Sequence, residues 1–103
     1  MKVEITDGSG VVRLLEEAVF TEFSVAAPGG LDHSGIDAAL RHSGAGLMEG
    51  AQALISTAWI KSHATVTREW LAGFDAMLAF AESRGWLSVN GKSVRAHVER
   101  LSN

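Results

Sequence analysis

The chain has 103 residues, 47% hydrophobic and 20% charged, with a net charge of -3. That size and balance fit one globular domain over residues 1–103 with a single core, and they exclude intrinsic disorder. The absence of cysteine excludes disulfides, thiolate catalysis and cysteine-ligated zinc.

The most apolar stretch, residues 46–60, is broken by Glu49 and Gln52 and is too short to span a bilayer. The opening residues lack the apolar core of a secretory signal, so the expected location is the cytoplasm, with no membrane contact. Residues 1–51 hold three Lys/Arg and eight Asp/Glu, and residues 52–103 hold six and four. An acidic total without a dense basic run argues against nucleic acid as a partner. The opposite signs of the two halves suit head-to-tail association of two copies.

Val3 and Ile5 alternate with polar neighbours and predict a short N-terminal strand, with a turn at Asp7 to Gly10. "DGSGVVR" has the strand, Gly-x-Gly turn and helix order of a phosphate-cradling loop. Position 13, where a dinucleotide fingerprint needs glycine, is Arg13, and no Gly-Lys-Ser/Thr follows. An ordinary turn explains these glycines, and no cofactor is expected.

From Val11, the spacing of Val11, Leu15, Ala18 and Val19 predicts a helix capped by Asp7 or Ser9. A helix continued past Phe20 would put Glu22 in its apolar stripe, so either it ends there or Glu22 needs a partner. Pro28 and the glycines after it end whatever precedes them.

In "GGLDHSGIDAALRHSG", Ser34 is the expected N-cap, Asp37 completes an acidic capping box, and Ile36, Ala39 and Leu40 face the core. His33 and His42 invite a metal reading. Nine residues of largely helical chain separate them by about 13 Å, whereas metal-bound nitrogens lie about 2 Å from the ion. A capped helix is the simpler reading, and no metal site is expected.

A further helix of about four turns is predicted from Leu47. Leu47, Met48, Ala51, Leu54, Ile55, Ala58 and Trp59 share one face, and Glu49, Gln52, Ser56 and His63 the other. Glu49 and His63 would then stand about 21 Å apart, too far for an acid-base pair. "IDAALRHSGAGLMEGAQAL" also reads as helix, glycine turn and helix, the order of a DNA-binding motif. Its second helix opens on Glu49 instead of the Arg, Lys, Asn or Gln that such recognition needs.

Thr67 is expected to cap a helix with Trp70, Leu71, Phe74, Met77, Leu78 and Ala81 in one stripe, ended by Gly85. At the end of the chain, Asn90-Gly91 predicts a hairpin placing Leu87, Val89, Val94, Ala96 and Val98 on one face. The competing reading is a helix through Val94, His97, Val98 and Leu101, capped by Ser93.

The expected architecture is mainly α: three or four short helices on the stripe of residues 67–84, with a minor β element from the N-terminal strand and the C-terminal hairpin. The expected function is a self-associating protein-protein interaction module of the cytosol. Trp59 and Phe80, at the flanks of their stripes, are the candidate binding residues; they either widen the core or protrude toward a partner. No catalytic constellation stands out. The rival reading is a small enzyme or ligand-binding domain whose site is assembled from distant residues, such as Glu22 with a histidine from a later helix. A helix-turn-helix regulator comes third.

Overall fold

A computed structural model describes residues 1–6, 11–88 and 90–101. Its backbone is an α/β fold built on a six-stranded mixed sheet, which corrects the expectation of a mainly helical bundle. The strands are β1 (Lys2–Ile5), β2 (Val12–Leu15), β3 (Ser24–Pro28), β4 (Gly46–Glu49), β5 (Gln52–Ser56) and β6 (Ser93–Leu101), in the order β2-β1-β3-β6-β5-β4. β1 and β3 run parallel, as do β3 and β6, and the other neighbours are antiparallel. The helices are α1 (His33–Ser43), α2 (Thr57–His63) and α3 (Arg68–Ser83).

Register sorts the side chains into two faces, because partners across a ladder share a side and alternate residues change it. Val3 pairs with Val25, Val25 with Val98, Ala96 with Ala53 and Val94 with Ile55, so these residues share one face. The helices fill that face with Ile36, Leu40, Trp59, Ile60, Trp70, Phe74, Met77 and Ala81, all buried. α1 touches both β2 and β4, and α2 touches both β2 and β5, so the sheet curls around the helical layer. No helix among the described residues is long and apolar enough to cross a membrane.

The opposite face is mixed: Leu47 and Leu54 pair on it and Ala26 is buried there, among rows of polar and charged residues. One row on it runs Leu15, Lys2, Ser24 and His97 across four strands, Gln52 pairs with Glu49 on the other two, and Arg13 forms an ion pair with its cross-strand partner Glu4. Arg95 of β6 reaches across β5 to Glu49 at 3.0 Å.

The corrections have local causes. Residues 12–15, expected in a helix, form an edge strand in which Val12 is buried and Arg13 exposed, and Glu16 then turns the chain with φ 52. The expected four-turn helix from Leu47 is instead a tight hairpin around Gly50 and Ala51, with φ 62 at Gly50. Only Thr57–His63 is helical there, capped by Ser56, whose side chain accepts from the Trp59 N–H. Gly46 makes that hairpin possible, because a Cβ on it would lie 1.9 Å from the Leu54 carbonyl oxygen. α1 begins two residues earlier than the capping-box reading: Asp32, not Ser34, accepts from the Gly35 N–H at 2.8 Å.

Other expectations match the structure. The N-terminal strand is present, and its following turn at residues 7–10 lies outside the described residues. α3 starts at its Thr67 cap and ends at Gly85, φ 74. Leu87 pairs with Val94 across the Asn90-Gly91 turn, as the hairpin reading requires, while Val89 lies outside the described residues.

Candidate functional site

β6 changes partners partway along one edge. The segment leading into its turn pairs with it only as far as Arg95, whose N–H donates to the Trp86 carbonyl at 2.7 Å. β3 takes over at His97, opposite Ser24. A cleft of about 210 Å³ lies at this junction, between the loop before β3 and the end of α3.

One wall is Phe20 and Phe23, on a loop that is fixed from several sides. The Met1 amino group donates to the Val19 and Glu22 carbonyls at 2.6 and 2.8 Å. Burial pushes that amine below its usual range, against the opposing pull of Glu16 and Glu22. The Trp70 indole donates to the Glu17 carbonyl at 2.8 Å, and its ring lies 6.0 Å from that of Phe20. Phe20 can rest on α3 because residue 73 is glycine: a Cβ there would come within 2.4 Å of its ring.

The other wall is Met77, Phe80 and Ala81 of α3 with Trp86 just beyond it. The helix end sets their arrangement. Gly85 donates to Glu82 O and Trp86 to Ala81 O, the paired bonds of a Schellman turn, which folds the residue after glycine back over the last helical turn. Trp86 therefore meets Phe80 edge to face, centroids 5.8 Å apart. The Arg84 guanidinium sits 5.1 Å from the Phe80 ring and 5.9 Å from that of Trp86. Phe80 is 52% exposed and Trp86 41%.

Glu22, Gln52, Arg95 and His97 line the polar end. Arg95 is engaged by Glu49, whereas neither Arg84 nor Glu22 forms an ion pair among the described residues.

The two candidate binding residues have separated. Phe80 stands at the cleft rim, whereas Trp59 is 6% exposed in the core, stacked on His63 with centroids 4.3 Å apart. Trp86, whose outward position follows from Gly85, is the aromatic that sequence reasoning passed over; its neighbour glycine was the available signal. Glu22 and His97 do come together at one cleft, but His97 is on a strand and Glu22 stands exposed, without the apolar enclosure the enzyme reading required.

His33 is bonded through Nε2 to the Gly50 carbonyl at 2.9 Å, and His42 is exposed in the last turn of α1. Among the described residues no group of three His, Asp or Glu side chains is placed to hold a metal. Glu49 and His63, expected on one helix, belong to β4 and α2. The segment read as the second helix of a helix-turn-helix is the β4–β5 hairpin, so that motif is not formed there.

No protein-family model, characterised protein or solved structure matches the chain.

Proposed function

We propose that the chain is a cytosolic protein-interaction module that docks a segment of a partner protein in the cleft between Phe20 and Trp86. The observation that carries this reading is the exposed Phe80–Trp86 pair with the Arg84 guanidinium 5.1 and 5.9 Å from the two rings. Tryptophan and arginine dominate the energetics of protein interfaces, where rigid aromatic surface is buried at little entropic cost. A monomer gains nothing by leaving two such rings in water beside an apolar hollow.

The volume argues for a side chain as occupant. At about 210 Å³ the cleft is smaller than the roughly 300–1,000 Å³ of small-molecule pockets. The partner chemistry that fits is one apolar or aromatic anchor side chain, seated against Phe20, Phe23 and Met77, with a carboxylate beside it to meet Arg84.

Selection of a displayed random-peptide library on the immobilised protein tests this. The expected consensus is an apolar anchor flanked by Asp or Glu, lost when the same library is selected on F80S/W86S. A library that yields no consensus, or the same consensus on both proteins, would overturn the reading.

A further inference from the structure

The two edges of the sheet are not protected alike. At β4 the Asp37 carboxylate accepts from the outward N–H of Met48 at 2.8 Å, and α1 runs beside the strand. An exposed ladder edge is a template for another strand, and blocking its amides is a recognised protection. β2, at the other edge, is touched by α1 and α2, but among the described residues no side chain caps its outward amides as Asp37 caps that of Met48.

Thr6 donates to the Val11 carbonyl at 2.8 Å, which fixes the phase of the β1–β2 ladder. Glu4 with Arg13 and Lys2 with Leu15 are then the bonded pairs, so the N–H and C=O of Val12 and Leu14 point out of the sheet. Among the described residues no hydrogen bond reaches those outward amides. The charged side chain of the strand, Arg13, is held by Glu4 of its own sheet. On either side of Arg13, on the same outer face, stand Val11, 52% exposed, and the half-buried Leu15.

We infer that β2 is a self-association edge, on which two copies of this chain pair antiparallel about a two-fold axis through Arg13. In that register Val12 of each copy exchanges both backbone bonds with Leu14 of the other. Val11 of each lies opposite Leu15 of the other, so these outward apolar side chains cover one another. The two Arg13 groups face across the axis, each neutralised by its own Glu4. A second copy is the occupant this edge fits, because an identical strand run antiparallel supplies Leu15 opposite Val11 and Val11 opposite Leu15. The two sheets become one.

This edge is separate from the cleft, and the two proposals can fail independently. Sedimentation velocity over a dilution series from roughly 1 mM to 1 μM tests the dimer, with three variants alongside wild type. Wild type is expected to dimerise reversibly. V11K/L15K sets like charges opposite each other twice and should weaken the dimer about tenfold or more. V11K/L15E restores opposite charges and should recover association, which separates a register effect from a folding defect. F80S/W86S should dimerise like wild type. In wild type, amide exchange at Val12 and Leu14 should slow as concentration rises.

A monomer at every concentration would overturn the proposal, as would a dimer unmoved by V11K/L15K. Failure of folded V11K/L15E to recover would overturn the register, and loss of the dimer in F80S/W86S would assign it to the cleft instead.

Discussion

Asp37 of α1 accepts a hydrogen bond from the backbone N–H of Met48 in β4 and an ion-paired bond from Arg41, each at 2.8 Å. One carboxylate thus closes a sheet edge and ties the helix beside it to that edge. The Met48 amide and then Arg41 hold the Asp37 carboxyl below the usual aspartate range.

The pH dependence of stability follows with a definite sign. A carboxyl with a depressed pKa in the folded state stabilises the fold above its unfolded value, about 3.9, and loses that contribution as pH falls through the folded value. Thermal unfolding should therefore find D37N less stable than wild type at about pH 7. The gap should narrow as acid protonates the wild-type carboxylate. A gap independent of pH would mean that Asp37 contributes by shape alone.

Gly46 and Gly30 form a matched pair of probes. A methyl group at Gly46 meets the Leu54 carbonyl, whereas one at Gly30 meets nothing within 4 Å. Urea unfolding should show G46A destabilised by about 3 kcal/mol or more, and G30A within about 0.5 kcal/mol of wild type.

Gly73 and Phe20 should be energetically coupled. G73A pushes on the Phe20 ring and moves a cleft wall, at an expected cost of about 1–3 kcal/mol. Removing the ring relieves the clash, so a double-mutant cycle of G73A with F20A should give a coupling of about 1 kcal/mol in the relieving direction. Additive effects would show that Phe20 does not rest on α3 in solution.

The aromatic pair named from sequence should divide into a core residue and a surface residue. Trp59 is buried, so W59A should cost about 3–5 kcal/mol in unfolding free energy. F80S should leave stability within about 0.5 kcal/mol and reduce capture of selected peptides. Comparable destabilisation by both would remove Phe80 from the surface.

How legible these features were depended on whether local signals agreed with one another. In α3 the Thr67 cap, one apolar stripe and Gly85 all point to the same helix, and the helix forms between those marks. Residues 46–56 carry a strand pattern hidden by their outer face: Leu47 and Leu54 pair there as apolar residues on the side where polar ones are expected. Alternation is then lost, and the same residues satisfy a helical spacing by coincidence. Val11 and Leu15 obscure β2 in the same way, being apolar and outward. Those outward residues are the ones on which the proposed self-association edge rests. Of the cleft, Phe80 was visible as a residue off its stripe, and Trp86 was foreshadowed by the helix stop before it. The joining of Glu22, Arg95 and His97 rests on the partner change along β6, a contact between distant segments that no local pattern encodes.

The most direct test of the cleft as a docking site reads the three tryptophan indoles separately. In a nitrogen-15 NMR titration with a pool of short synthetic peptides, each bearing one Leu, Ile, Phe or Trp beside an Asp, the Trp86 indole should move progressively. The buried Trp59 and Trp70 indoles should stay in place. A Trp86 signal that holds still at saturating peptide, or one that moves no more than those of Trp59 and Trp70, would contradict the assignment of this cleft to partner binding.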